Sequence, residues 1–208
     1  MSLMAVIGWF ALGLQFYVML VDPALADWTL AQITAKFLSF FTILTNLLVV
    51  LSLTVCLLMP QSGLGKFFTR PTVKSAIAFY IAIVGIVYNL VLRQLWNPEG
   101  FQFVADVILH TAIPIMYVVY WFIFVPKGEL NWKNPISWLI YPLIYLPYTL
   151  IQGALTNQYP YPFLDVSRLG YLNVLFNAVM LTAGFFVLGE IFVGIDKLMN
   201  RTSIQNAI

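Results

Sequence analysis

The sequence predicts an all-α integral membrane protein: one polytopic bundle of six transmembrane helices, with both termini in the cytoplasm. Composition points there first. The 208 residues are 62% hydrophobic and only 9% charged, where a water-soluble domain carries about 25% charged residues. Mean hydropathy is +0.91. The apolar residues also fall into six runs, each near the ~20 residues that cross a hydrocarbon core. These runs are too long and continuous for the alternating pattern of a membrane β-barrel.

Taken in order, the runs predict helices near 5–21, 37–58, 74–92, 103–125, 136–154 and 171–194, within a single membrane domain spanning 1–208. The connectors carry the expected breakers: Asp22-Pro23, Pro60-Gln61-Ser62-Gly63, Asn97-Pro98-Glu99-Gly100, Pro126-Lys127-Gly128 and Tyr159-Pro160-Tyr161-Pro162. Ala24-Leu25-Ala26 after the first run resembles a signal-peptidase site. No Lys or Arg precedes that run, however, and it exceeds the ~7–15 residues of a signal core, which favours a retained helix.

Basic residues near the helix ends set the expected orientation. One side receives seven: Lys66, Arg70, Lys74, Lys127, Lys133, Lys197 and Arg201. The other receives three: Lys36, Arg93 and Arg168. The richer side is read as cytoplasmic. Trp28, Trp96 and the Tyr159–Tyr161 stretch then fall at the outer interface, where amphipathic rings are favoured.

With that threading, the polar residues inside the runs collect in the outer half of the membrane. They are Ser39, Thr42, Asn46, Asn89, Arg93, Asp106, His110, Gln152, Asn173 and Asn177. Spacings of three and four put Ser39, Thr42 and Asn46 on one face of a continuous helix. The pairs Asn89/Arg93, Asp106/His110 and Asn173/Asn177 do the same on theirs. The cytoplasmic half contains little beyond Ser52, Thr54 and Glu190. Polar side chains are costly in hydrocarbon, so a layer contributed by several helices marks a buried site.

His110 is the chemically distinctive member. A neutral imidazole can serve as a general base, and Asp106, one turn earlier, could accept a ring N–H and orient it. Pro114 cannot donate to the His110 carbonyl, so the helix should be loosened at this turn. The alternative role for His110 is a hydrogen-bonded bridge between helices. Ser39, Thr42 and Thr45 are candidate nucleophiles, and each could instead bond back to its own helix. Counting ~1.5 Å per residue puts Thr42 and His110 at similar depth, with Ser39 shallower. Asn46, Asn89, Asn173 and Asn177 are candidate substrate-binding groups. Arg93 at the rim suits a carboxylate or phosphate, or simply snorkels to the interface.

Nucleic-acid binding and typical metal chemistry are excluded, while a small-molecule transporter and a non-catalytic lipid-binding protein stand as alternatives. The ten basic residues form no stripe for nucleic acid. With one His and one Cys the chain lacks a typical zinc or iron–sulfur ligand set, and no cofactor is expected. Cys56 has no second cysteine to pair with. A transporter would need a polar path to the cytoplasmic side and an inverted repeat, and neither is evident. A non-catalytic lipid-binding protein remains open.

Lys36-Phe37-Leu38-Ser39-Phe40, His110-Thr111 followed by Pro114, Tyr161-Pro162-Phe163-Leu164-Asp165 and Leu188-Gly189-Glu190 occur in this order at suitable helix positions. Together they resemble the androgen-induced protein family of six-helix membrane hydrolases, in particular its bacterial relatives, over about Lys36 to Glu190. The resemblance implies a threonine-type hydrolase of fatty acid esters of hydroxy fatty acids, in the cell membrane of a bacterium. The family histidine falls on His110. The family threonine falls on Ser39, a departure, with Thr42 the fallback one turn deeper. Pro114 stands one residue closer to the histidine than in animal members, and Asp106 is not part of the family pattern.

Overall fold

A computed structural model describes the backbone of residues 1–205 and the side chains of residues 1–200; Arg201 of the charge count therefore lies outside the described side chains. The described residues are helical with no strand. Six helical spans are long and apolar enough to cross a membrane: Ser2–Val21, Phe41–Leu58, Pro71–Leu95, Gly100–Phe124, Asn134–Thr156 and Val166–Asn200. The chain is a multi-pass membrane protein by these spans.

The chain divides into two compact units, Met1–Val125 and Pro126–Ile208. The first holds α1 (Ser2–Val21), α2 (Leu30–Ser39), α3 (Phe41–Leu58), α4 (Gly63–Phe68), α5 (Pro71–Val87), α6 (Gly100–Val107) and α7 (Ile113–Phe124). Two π-helical turns are inserted, Tyr88–Leu92 after α5 and Ile108–Ala112 between α6 and α7. Helix α1 packs on α3 and α6, α3 on α5, and α5 on α7. Two glycines allow these close approaches. A Cβ on Gly8 would lie 2.3 Å from Val50 Cγ1, and one on Gly85 would lie 2.9 Å from Pro114 Cβ. Ala11, Leu12, Ile43, Val50 and Leu109 are buried in one cluster, so α1 contributes directly to the core of this unit. A reciprocal amide pair joins Gln15 to Gln102, with N···O distances of 3.2 and 2.9 Å.

One sequence expectation fails here. The helix expected to run unbroken over 37–58 is divided at Phe40, whose backbone is extended (φ −79°, ψ 126°). Helix α2 starts instead at a capping box. Thr29 Oγ1 accepts from the Gln32 N–H at 3.3 Å, and Gln32 Oε1 accepts from the Thr29 N–H at 2.8 Å. Ser39 therefore ends α2 while Thr42 and Asn46 belong to α3, and the three do not share one continuous helical face.

The part of the spans that carries Ser52, Thr54 and Ser75 holds polar contacts that hydropathy alone does not show. Trp121 Nε1 donates to Ser75 Oγ at 2.7 Å, and Trp9 Nε1 donates to Thr54 Oγ1 at 3.1 Å. Aromatic side chains that count as apolar in hydropathy carry polar tips, and these tips find hydroxyl partners.

The second unit holds α8 (Asn134–Trp138), α9 (Ile140–Thr156) and α10 (Val166–Gln205). Helix α10 is broken at Gly170 (φ 74°, ψ 158°), a conformation that glycine accepts and other residues resist. Asp165 caps it: Oδ1 accepts from Ser167 Oγ at 2.5 Å and from the Arg168 N–H at 3.2 Å. Farther along, buried Asp196 turns Oδ2 toward the loop before α8, accepting from the Gly128 N–H at 2.9 Å and the Leu130 N–H at 3.1 Å.

Candidate functional site

The polar site of the first unit is built around the π turn Ile108–Ala112. In this turn the Ile113 N–H donates to the Ile108 carbonyl, which takes it away from Leu109, its α-helical acceptor. Pro114 has no N–H to give His110. Two successive carbonyls thus lose their helical donors, and at membrane depth each must find another. Asparagines from other helices supply them. Asn46 Nδ2 donates to the Leu109 carbonyl at 3.1 Å, and Asn89 Nδ2 donates to the His110 carbonyl at 3.2 Å.

These amides are also anchored to their own helices. Asn46 Nδ2 donates to the Thr42 carbonyl at 2.9 Å, and Asn89 Nδ2 to the Gly85 carbonyl at 2.9 Å. An amide nitrogen has two hydrogens, so neither Asn46 nor Asn89 keeps one for a substrate oxygen. Their observed work is to complete the backbone around His110. Asn46 also brings the Thr42 carbonyl and the carbonyl of the residue before His110 to a single nitrogen.

His110 lies one turn after Asp106, and its side chain is 16% exposed. Its Nδ1 is 3.0 Å from the Asp106 main-chain oxygen and 3.2 Å from Asp106 Oδ1. A carbonyl oxygen only accepts, so the ring proton sits on Nδ1 and the Nε2 lone pair is left for chemistry. The second carboxylate oxygen of Asp106 accepts from the Tyr88 hydroxyl at 2.5 Å, and Tyr88 in turn accepts from Trp96 Nε1 at 3.1 Å. The Tyr88 ring also stacks on the imidazole, with centroids 3.8 Å apart and planes 17° from parallel.

Sequence reasoning passed over Tyr88 and Trp96. Tyr88 counts as apolar inside a hydrophobic run, and Trp96 reads as an interface anchor. A signal was present nonetheless. A buried tyrosine hydroxyl needs a partner, and Asp106 is the carboxylate threaded to the same level.

The candidate nucleophiles lie on either side of the break at Phe40. Ser39 is buried and gives its hydroxyl to the Lys36 carbonyl at 2.7 Å. Thr42 is buried in the first turn of α3. Among the described residues the imidazole ring of His110 is hydrogen-bonded to Asp106, and neither hydroxyl is bonded to it. Arg93 is exposed and donates from Nη1 to Asn89 Oδ1 at 3.2 Å. That contact holds it beside the asparagine that serves His110.

Asn173 and Asn177 belong to the second unit and are held locally. Asn173 Nδ2 donates to the Leu169 carbonyl at 2.8 Å, and Asn177 Nδ2 to the Phe163 carbonyl at 3.0 Å. Among the described residues no group of three or more His, Cys, Asp or Glu could hold a metal ion. No protein-family model, curated protein or solved structure matches the chain.

Proposed function

We propose that the protein is an intramembrane lipid ester hydrolase acting on fatty acid esters of hydroxy fatty acids, with His110 as general base. The observation that carries this reading is the imidazole itself. Its proton is fixed on Nδ1 by Asp106, its plane is held against Tyr88, and Nε2 remains as the basic atom. An oriented, partly accessible imidazole beside a carboxylate is what general-base activation of a hydroxyl requires.

In the proposed reaction Nε2 removes the proton of a hydroxyl, and the oxygen attacks the ester carbonyl. The imidazolium returns that proton to the departing hydroxy acid, leaving an acyl-enzyme. Water, deprotonated by the same nitrogen, then releases the fatty acid and regenerates the hydroxyl. Thr42 is the better nucleophile on position, because its carbonyl and that of Leu109 share the Asn46 amide. Ser39, where the family resemblance puts the nucleophile, is turned to its own backbone. Arg93 would hold the substrate carboxylate at the rim through its remaining guanidinium donors. The family resemblance, the cytoplasmic placement of both termini, the outer-leaflet position of the site and location in a bacterial inner membrane complete this reading. Its support is the motif set and the charge bias.

A second reading is a non-catalytic lipid-binding protein. The specific observation in its favour is that, among the described residues, no hydroxyl is hydrogen-bonded to the His110 ring.

Fluorophosphonate labelling of purified protein in lipid nanodiscs separates the two. A hydrolase labels, and His110→Ala together with one of Thr42→Ala or Ser39→Ala abolishes the signal. The loss of rate in His110→Ala should be about 10²–10⁴-fold, the usual range for a general base. Folded wild-type protein that does not label would rule in favour of lipid binding.

A further inference from the structure

We infer that Tyr88 is a positioning residue for His110 and that Trp96 fixes the direction in which it acts. What the positioned imidazole accomplishes rests on the hydrolase reading. How it is positioned follows from the hydrogen bonds. An indole N–H only donates, and Trp96 Nε1 lies 3.1 Å from the Tyr88 oxygen. That oxygen is therefore an acceptor on the Trp96 side, and its own proton goes to Asp106 Oδ2 at 2.5 Å. Asp106 Oδ1 faces His110 Nδ1 at 3.2 Å. The order is fixed throughout: Trp96 donates to Tyr88, Tyr88 donates to Asp106 Oδ2, and His110 Nδ1 donates to the Asp106 main-chain oxygen at 3.0 Å, with Oδ1 of the same carboxylate lying against it.

Tyr88 meets His110 a second time through its ring, stacked 3.8 Å away. One side chain thus restrains both the plane of the imidazole and the carboxylate that lies 3.2 Å from its Nδ1. Asp106 is only 4% exposed, so a donor taken from it is not replaced by bulk water. Without the Tyr88 hydroxyl the carboxylate is left short of a donor and turns away from the position that serves His110. The π turns make the arrangement possible. Tyr88 opens one and His110 sits inside the other, and such turns shift the angular position of side chains that follow them.

His110 is the chain's one histidine, so ¹⁵N-histidine labelling gives a single set of imidazole resonances by NMR in nanodiscs. Tyr88→Phe should keep the upfield ring-current shift of the imidazole carbon-bound protons, which reports that the stack and the fold are intact. Its Nδ1 proton resonance should move to the position seen in Asp106→Ala. Trp96→Phe, a rim substitution, should move it the same way by less. Fluorophosphonate labelling of Tyr88→Phe should slow about tenfold or more at an unchanged half-saturating probe concentration, since misplacing a base costs rate and not affinity. An Nδ1 resonance that stays at its wild-type position in Tyr88→Phe would overturn the inference, as would one that Asp106→Ala leaves unmoved. If wild type gives the expected resonances and does not label, the hydrolase reading fails alone, and the resonances still decide the role of Tyr88.

Discussion

Asn89 Nδ2 lies 3.2 Å from the carbonyl oxygen of His110, the carbonyl that Pro114 deprives of its helical donor. A proline that would otherwise leave an orphan acceptor in hydrocarbon is thereby made tolerable, and the histidine's backbone is held at its bend. Asn89→Leu should destabilise the protein by about 1–3 kcal/mol, the cost of an unsatisfied buried group. In a Pro114→Ala background the helical N–H returns, and the same substitution should cost measurably less. Thermal unfolding of the four proteins in detergent gives the coupling; strictly additive effects would contradict the compensation.

The contact between α1 and α3 makes a sharper test of packing. Because a Cβ on Gly8 would approach Val50 Cγ1 to 2.3 Å, Gly8→Ala should cost about 1–3 kcal/mol through overpacking. Val50→Ala in the same chain should recover part of that loss. If Gly8→Ala melts like wild type, α1 does not sit this close to α3.

In the second unit, burial pushes the Lys127 ammonium below the ordinary lysine value, and the nearby Asp196 carboxylate opposes that shift. Removing the anion leaves burial unopposed, so in Asp196→Asn the Lys127 pKa should fall further. More of the lysine is then neutral at a given pH, and acylation of Lys127 by an amine-reactive ester at pH 8 should be faster than in wild type. Peptide mass spectrometry of the labelled lysine reads this directly. An unchanged or slower rate would remove Asp196 as the neighbouring charge.

The cap of α10 predicts an acid-sensitive contribution. The Ser167 hydroxyl above all, helped by backbone N–H groups, holds the Asp165 carboxyl below the usual carboxylate range. A depressed folded-state pKa means stability that is present above the unfolded value of about 3.9 and lost as pH falls through the folded value. Asp165→Asn should therefore melt below wild type at pH 7, and the difference should shrink below about pH 4. A difference that persists at pH 2 would point to side-chain geometry and not charge.

Much of the architecture was legible in the chain. Runs of about 20 apolar residues force helices, because hydrocarbon leaves backbone groups no other partners. Breakers such as Pro60-Gln61-Ser62-Gly63 and Tyr159-Pro160-Tyr161-Pro162 bound those helices locally. The four-residue spacing of Asp106 and His110 was likewise enough to place a carboxylate beside the ring, since that contact lies within one helical turn.

Contacts across helices were decided only by tertiary structure. The break at Phe40 leaves no proline or glycine as a signal, and it separates Ser39 from Thr42 and Asn46. The asparagines read as donors for a substrate instead serve Leu109 and His110, because a π turn and Pro114 release those carbonyls 63 and 21 residues away in sequence. Tyr88 and Trp96 entered the site for the same reason. Hydropathy and helical spacing report which residues enter the membrane and which share a turn. The partner of a polar atom is set by the packing of helices distant in sequence, and at membrane depth that packing must satisfy every donor and acceptor the local chain leaves over.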